Sequence, residues 1–238
     1  MKVVVIIPAA GLGTRMAPSL KGKKPAASKQ FTELAGTPIL IRTLRKFAAS
    51  ASVSEIYIAL RANEIDGFRS RLDKEASVKN KVLLVEGGEH RQLSVANAIA
   101  AISAAPDDIV LVHDAVRPFV TEEIVNDVIR AARKYGAAIA GVPAVDTIKE
   151  VKRTAEGALI TATIPREHVV MAQTPQGFRY QVLKKAFDEA TADGFIGTDE
   201  ASLVERSGHD VAVVMGSHRN IKITTPADLE LAEFYLGN

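Results

Sequence analysis

Five strongly apolar runs, separated by amphipathic stretches, constrain the fold of this chain more than any other feature. Each run is too apolar for one of its faces to be wetted, which is typical of strands covered by helices on both faces of a mainly parallel sheet. The runs cover residues 2–8, 55–60, 82–86, 109–113 and 137–142. This alternation predicts an α/β fold, and a length of 238 residues fits one domain, residues 1–238.

Two helices carry clear boundary signals. Thr37 followed by Pro38 predicts an N-cap beside a first-turn proline, ahead of an apolar stripe over residues 39–47. Thr121, followed by two glutamates, opens a longer amphipathic helix, and Gly136 closes it. We expect such helices to cover the sheet.

The pattern changes after Pro143. Residues 146–151 and 159–163 read as two short strands joined by a polar turn, which predicts a β-hairpin. Its flanks offer no helix that could cover it. Such a hairpin therefore either extends the sheet or projects and is covered by another subunit.

The composition excludes several classes of protein. The chain has no cysteine, which excludes a disulfide framework, a thiolate nucleophile and a cysteine-ligated zinc site. The apolar run near the N-terminus is too short for a signal-peptide core or a bilayer span, so we expect a cytoplasmic protein without a membrane partner. A net charge of +2 gives no bulk attraction to nucleic acid. We expect small anions as partners instead.

The loop after the first apolar run suits an anion. Residues 8–16 read Pro-Ala-Ala-Gly-Leu-Gly-Thr-Arg-Met, so small side chains let backbone N–H groups approach a ligand, and Arg15 and Lys29 add positive charge. The dinucleotide-binding pattern G-x-G-x-x-G fails at Met16, and no P-loop string occurs. An ordinary tight turn is the alternative, but the nearby cations favour a polyphosphate.

A second small-residue loop follows the third apolar run. Gly87 and Gly88 allow backbone amides to approach a flat base edge, with Glu89 beside them, and Ser94 can add a hydroxyl contact. The alternative is a plain strand-to-helix turn with Ser94 as a surface or capping residue.

Asp114 and Lys222 are candidate site residues next to apolar stretches. Asp114 follows the run 109–113, at the carboxyl end where open α/β sheets bind ligands, and a carboxylate there can hold Mg²⁺ beside substrate phosphates. The alternative is an aspartate that caps the following turn. His113 points away from Asp114 by strand alternation and is interpreted as a packing residue. Lys222 lies in a predicted strand, 221–223, where an unpaired lysine is costly, so we expect an anionic partner for it.

Four segments together resemble the 2-C-methyl-D-erythritol 4-phosphate cytidylyltransferases of the non-mevalonate isoprenoid pathway, over nearly the whole chain. They are the loop 8–16 and the segments 87–94 (GGEHRQLS), 112–118 (VHDAVRP) and 220–224 (NIKIT). The resemblance implies a Rossmann-like, mainly parallel sheet of the nucleotide-diphospho-sugar transferase type, with helices on both faces. It also implies a projecting β-hairpin arm, residues 142–168, that exchanges between the subunits of a homodimer.

The activity implied by the resemblance is transfer of CMP from CTP to the phosphate of 2-C-methyl-D-erythritol 4-phosphate, with release of pyrophosphate and with Mg²⁺ as cofactor. A phosphate monoester has a second pKa of about 6, so the nucleophile is largely ionised at neutral pH and needs no general base. Two alternatives stay open: a cytidylyltransferase acting on ribitol 5-phosphate, which shares much of the pattern, and a CTP-binding sensor without turnover.

The resemblance also implies roles for individual residues. The nucleotide contacts are Ala9, Ala10, Gly11, Gly88, Glu89, Ser94, Asp114 and Ala115, and Asp114 is the metal ligand. The resemblance places Arg15 and Lys29 at the triphosphate, and we expect Arg15, Lys29 and Lys222 to be the catalytic cations around the α-phosphate. The acceptor contacts are Arg117, Asp146, Thr147, Arg166, Thr174 and Thr198, with Thr147 and Arg166 offered from the partner's arm. Taken singly, each threonine is better explained as a solvated loop residue.

Overall fold

A seven-stranded sheet flanked by helices organises the described part of the chain, residues 1–11 and 29–237 of a computed structural model. The strands are β1 (Val3–Pro8), β2 (Glu33–Leu34), β3 (Thr37–Pro38), β4 (Glu55–Leu60), β5 (Val82–Glu86), β6 (Ile109–Val112), β7 (Ala137–Pro143), β8 (Ile148–Thr154), β9 (Gly157–Ile164), β10 (Val170–Arg179) and β11 (Ala212–Met215). The helices are α1 (Ile39–Ala49), α2 (Ala62–Leu72), α3 (Arg91–Ala101), α4 (Glu122–Tyr135), α5 (Tyr180–Ala192), α6 (Glu200–Arg206) and α7 (Pro226–Gly237).

The sheet is mainly parallel, with the strand order β11-β7-β10-β6-β1-β4-β5. Strand β10 runs antiparallel to both of its neighbours, β6 and β7, and the other pairings within this sheet are parallel. The predicted α/β class is confirmed. The five predicted strands are present with ends that differ by at most one residue. Four of them are buried on both faces, which explains their continuous apolar runs. The expectation that neither face is wetted is wrong for the edge strand β5, where Leu83 is 41% exposed.

Two apolar clusters lie on opposite faces of the sheet. Val3, Val5 and Ile7 of β1 pack with helices α1, α2 and α4. Val4 and Ile6 point to the other face and pack with α3, α5 and α6. The period-2 alternation of a strand divides the core in this way, and both faces are covered as predicted.

The predicted helix boundaries had different outcomes. Thr121 is the N-cap of α4, where its hydroxyl accepts the N–H of Ile124 at 3.3 Å, and Gly136 ends the helix at a φ of +90°. The predicted N-cap at Thr37 is wrong. Thr37 lies in the short strand β3 and pairs with Leu34, and Pro38 occupies the N-cap position of α1 without a side-chain cap. Backbone pairing within the short β2–β3 hairpin, and not a side-chain cap, precedes the start of that helix.

Strands β8 and β9 form the predicted hairpin as a separate antiparallel sheet. Almost all of its side chains are exposed in the single chain, and the apolar ones include Val151 at 46%, Leu159 at 65% and Ile160 at 64%. Exposure of this extent means that the hairpin has no cover from the rest of the described chain.

Residues 221–223 do not form the predicted strand. The N–H of Ile223 donates to the carbonyl of Val116 at 3.0 Å, but the segment is not part of a ladder. Its apolar residues are still covered, because Ile223 is fully buried in a small cluster with Leu34 and Ile39.

None of the helices in the described ranges combines the length and the apolar character that a membrane span requires.

Candidate active site

A cleft of about 220 Å³ lies at the carboxyl ends of β1 and β6. Its walls are the end of the first strand with residues 9–11, the turn at residues 29–30, the loop 88–91, residues 114–116 and the side chain of Lys222. Carboxyl ends of parallel strands are where open α/β sheets bind their ligands.

A second cleft of about 130 Å³ adjoins the first. It is lined by β10 residues around Thr174, by Arg117 and by the segment 198–199. Three side chains line both clefts, and they are Arg91, Asp114 and Lys222. We call these three residues the seam, because a molecule in either cleft would touch them.

The opening loop forms one wall of the first cleft, which Ala9, Ala10 and Gly11 line, and their contact with a nucleotide stays a prediction. The amide of Gln30 donates to the carbonyl of Ala9 at 2.5 Å, and Gln30 is buried. This bond fixes the 3-10 turn that carries Lys29 against the loop, so Lys29 also lines the cleft. Arg15 lies outside the described residues.

The glycine loop after β5 lines the same cleft, but its amides are used within the protein. The N–H of Gly87 donates to the carbonyl of Leu60 at 2.7 Å, and that of Gly88 donates to the Ser94 hydroxyl at 3.0 Å. A Cβ at Gly88 would lie 2.2 Å from Cγ of Leu93, so glycine is needed here for packing. The approach of these two amides to a base is therefore not seen, and Ser94 stabilises the loop.

Glu89 and Ala115 also line the first cleft. Their contact with a nucleotide, like that of Gly88 and Ser94, stays a prediction that rests on position.

Asp114 is the electrostatic centre of the site. Its side chain is 8% exposed, and Oδ2 lies 3.1 Å from Nε of Arg117 and 3.0 Å from Nζ of Lys222. Oδ1 faces Nε of Arg91 at 3.6 Å, which is longer than a hydrogen bond. Burial by itself would raise the pKa of the Asp114 carboxyl, but these three cations together hold that pKa well below its usual range. The carboxylate is therefore ionised.

The anionic partner expected for Lys222 is thus a carboxylate of the chain itself. Arg117 also donates through a second nitrogen to the carbonyl of Asn220 at 2.7 Å. The guanidinium therefore joins the loop after β6 to the segment that presents Lys222. This explains how residues far apart in the sequence reach the same carboxylate.

His113 and Thr174 form a buried network under Asp114. The ring Nε2 of His113 lies 3.1 Å from the carbonyl of Arg117, which only accepts, so Nε2 carries the proton. Burial lowers the pKa of His113 to about 4, so the ring is neutral at pH 7 and Nδ1 accepts the hydroxyl proton of Thr174 at 3.1 Å. The N–H of Asp114 donates to the same hydroxyl at 3.0 Å.

This network bears on the predicted role of Thr174. The residue lines the second cleft, but its single hydroxyl proton is donated to His113. A phosphate oxygen accepts hydrogen bonds and would need that proton. The hydrogen bonding therefore favours a role in holding the backbone of Asp114 in place, and a direct phosphate contact stays a prediction.

The remaining acceptor residues fall into two groups. Arg117 and Thr198 line the second cleft. Asp146, Thr147 and Arg166 are exposed and line neither cleft. The placement of Thr147 and Arg166 in a partner's site, and the acceptor contact of Asp146, stay predictions. Within the single chain, the Arg166 guanidinium donates to the carbonyl of Val145 at 2.7 Å.

Two charged residues at this site were not singled out from the sequence. Arg91 donates through Nη1 to Oε1 of Glu200 at 2.6 Å. Glu200 is 1% exposed, and its burial, opposed by the charge of Arg91, raises the pKa of its carboxyl. Arg91 directly follows the glycine loop, which was a usable signal. Nothing local marks Glu200, which opens helix α6.

Asp114 can be tested as a metal ligand. Among the described residues, no three acidic or histidine side chains are grouped so as to hold a metal ion. Arg117 and Lys222 occupy Oδ2 of Asp114, whereas Oδ1 has a longer contact with Arg91. Mg²⁺ commonly takes one carboxylate together with waters and substrate phosphates. One oxygen of Asp114 therefore fits that cation, provided that phosphates complete its shell.

Comparison with known proteins identifies the family of this chain. Residues 3–238 match the family model described as IspD: 2-C-methyl-D-erythritol 4-phosphate cytidylyltransferase. The chain is 58% identical over 236 residues to the 2-C-methyl-D-erythritol 4-phosphate cytidylyltransferase of Acidobacterium capsulatum, covering 99% of this chain and 98% of that protein. It is 53% identical to that of Solibacter usitatus, covering 99% and 96%.

Solved structures of proteins with the same activity also match this chain. 4-Diphosphocytidyl-2C-methyl-D-erythritol synthase from Anaerococcus prevotii matches with a TM-score of 0.82 and 29% identity, covering 100% of this chain and 96% of that one. 2-C-methyl-D-erythritol 4-phosphate cytidylyltransferase from Thermus thermophilus matches with a TM-score of 0.77 and 34% identity, covering 100% of both chains. The chain therefore belongs to the 2-C-methyl-D-erythritol 4-phosphate cytidylyltransferase family.

Proposed function

We propose that this enzyme transfers CMP from CTP to the phosphate of 2-C-methyl-D-erythritol 4-phosphate, giving 4-diphosphocytidyl-2-C-methyl-D-erythritol and pyrophosphate. The main structural support for this function is the position of the seam residues. Two clefts meet at Arg91, Asp114 and Lys222, so CTP in the larger cleft and the sugar phosphate in the smaller one would face each other there.

The reaction requires no general base. The acceptor phosphate has a second pKa of about 6 and is largely ionised at neutral pH, so one of its oxygens attacks the α-phosphorus of CTP directly. His113, which lies under Asp114, is buried and neutral, and both of its ring nitrogens are hydrogen-bonded inside the protein. Its hydrogen bonds stabilise the buried network under Asp114.

Cationic side chains supply the electrostatic stabilisation. Two polyanions must approach each other, and charge develops on the equatorial and leaving oxygens, where prearranged cations are most effective. Lys29 lines the nucleotide cleft and Lys222 lies at the seam, so we assign both to the α-phosphate, together with Arg15. Arg117 lines the acceptor cleft and is assigned to the sugar phosphate.

Asp114 has a different task, because its ionised carboxylate would repel phosphate. Its Oδ2 orients Arg117 and Lys222, and its Oδ1 is the candidate ligand for a divalent cation. Such a cation, when bound, neutralises charge on the triphosphate oxygens.

The arm supports a homodimer. Its uncovered apolar side chains, Leu159 and Ile160 among them, are suited to burial against a second copy. In such a dimer Thr147 and Arg166 would enter the acceptor cleft of the partner. Sedimentation velocity tests this assembly: the dimer is expected, and Leu159→Asp is expected to shift the population toward monomer.

The activity is tested by pyrophosphate release from CTP and Mg²⁺ with 2-C-methyl-D-erythritol 4-phosphate, and with ribitol 5-phosphate as the competing acceptor. We expect release with the first acceptor, together with the diphosphocytidyl product, and a much lower rate with the second. CTP binding without release from any acceptor would instead identify a sensor.

A further inference from the structure

The loop that lines the first cleft is connected to a segment that lines the second cleft by two side chains, those of Arg91 and Gln92. Neither side chain was assigned to a ligand site from the sequence. Gln92, at the start of α3, donates to the carbonyl of Phe195 at 3.0 Å and accepts the N–H of Gly197 at 2.9 Å. Its neighbour Arg91 pairs with Glu200. These contacts fasten the loop that lines the first cleft to the segment 195–200, which presents Thr198 to the second cleft.

The Arg91–Glu200 ion pair differs from the hydrogen bonds of Gln92, because its carboxylate is buried and incompletely hydrogen-bonded. Glu200 is 1% exposed, and its Oε2 has no hydrogen-bond partner among the described residues. A buried carboxylate held by one arginine adds little net stability, because desolvation offsets the attraction. Stability alone is therefore a poor explanation for placing Glu200 behind Arg91.

The position of Arg91 suggests the explanation. Its Nη1 lies 2.6 Å from Glu200, while its Nε lies 3.6 Å from Oδ1 of Asp114, so one guanidinium is shared by two carboxylates. We propose that Glu200 and Arg91 are a positioning pair, through which binding of the nucleotide strengthens binding of the acceptor phosphate and the reverse. This inference rests on the proposed function.

The physical reason lies in the competition for the seam cations. A phosphate in either cleft attracts Lys222, which leaves Arg117 and Arg91 to compensate the charge of the buried Asp114. Arg91 then has one favoured position between Asp114 and Glu200, and the segment that carries Thr198 is held with it. The second ligand meets a seam that is already ordered, so it binds more tightly than it would alone.

The test compares two titrations of the intact enzyme by calorimetry. The probe is a CTP analogue with a methylene bridge between the α and β phosphates, which blocks transfer. Its Kd is measured with and without saturating 2-C-methyl-D-erythritol 4-phosphate. In the wild type we expect the acceptor to tighten binding of the analogue about fivefold or more.

Glu200→Gln keeps the size of the side chain and removes its charge. We expect the ratio of the two Kd values to fall toward one, while the Kd of the analogue alone changes by less than about threefold. Glu75→Gln is the matched control, because Glu75 also pairs with an arginine, Arg45 at 2.8 Å, on the surface and away from both clefts. It should leave the ratio unchanged.

Two results would overturn the proposal. One is an unchanged ratio in Glu200→Gln, including the case where both Kd values rise in parallel, as a purely structural residue would produce. The other is a wild-type ratio of one. If Glu200→Gln does not fold, Arg91→Lys decides, because lysine keeps the charge but lacks the fork that reaches both carboxylates. Failure of the proposed function is separate, since it is seen as absent pyrophosphate release from the wild type.

Discussion

Lys222 forms an ion pair with Asp114, with Nζ 3.0 Å from Oδ2 at the junction of the two clefts. The lysine side chain is 37% exposed while the aspartate is buried, so the cation faces incoming phosphates and the carboxylate holds it from behind. This relationship makes Lys222 the clearest target for mutation.

Lys222→Ala is expected to lower kcat by about 10²-fold, because one electrostatic donor to the transition state is lost. Arg117 still pairs with Asp114 in this variant, so the fold should persist. Rapid-quench turnover with circular dichroism checks the prediction, with exposed Lys74→Ala as the control. A near-normal kcat in folded Lys222→Ala would remove the residue from the catalytic group.

Arg166→Ala is expected to raise KM for the sugar phosphate more than KM for CTP, since we place Arg166 in the partner's acceptor cleft. Arg153→Ala, also on the exposed arm, is the control and should change neither constant. Steady-state kinetics with each substrate varied in turn measures the difference. Equal increases in both constants would contradict an acceptor-specific role.

Ser94→Ala is expected to raise KM for CTP about fivefold, because the hydroxyl that accepts the Gly88 N–H would be lost and the loop would loosen. Ser70→Ala is a matched control. Ser94 and Ser70 each donate to the carbonyl four residues earlier in the chain, but Ser70 is exposed on α2. A similar KM in both variants would show that the loop does not depend on Ser94.

The buried His113 predicts a pH-dependent stability. Its pKa falls from 6.5 to about 4 on folding, so the unfolded chain takes up this proton at a higher pH than the folded protein does. The contribution, about 3 kcal/mol, is fully present above pH 6.5 and is lost as the pH falls toward 4.

Urea unfolding of the wild type and of His113→Gln between pH 7.5 and 4.5 measures this effect. We expect the free energy of unfolding to fall less steeply with decreasing pH in the variant, although the variant is less stable at pH 7.5. Identical slopes would mean that another group controls the acid sensitivity.

Local patterns were sufficient for the strands and for the best-marked helix. The strands buried on both faces appear as continuous apolar runs, and Thr121 and Gly136 carry the chemistry of a helix start and end. Where backbone pairing or burial decided the local structure, the N-cap pattern and the strand pattern failed. Thr37 pairs with Leu34 instead of capping α1, and residues 221–223 are held by burial and one backbone bond instead of a ladder.

The sequence by itself determined the α/β class, the small-residue loops after the strands and, through family resemblance, most residues assigned to the site. Only the tertiary structure decided how they are connected: the carboxylate paired with Lys222, the proton of Thr174 donated to His113, and the guanidinium of Arg91 shared with Glu200. The physical reason is the distance along the chain over which each interaction acts. Periodicity and capping act within a few residues, whereas the partner of a buried charge is set by chain segments that meet only when the sheet is assembled.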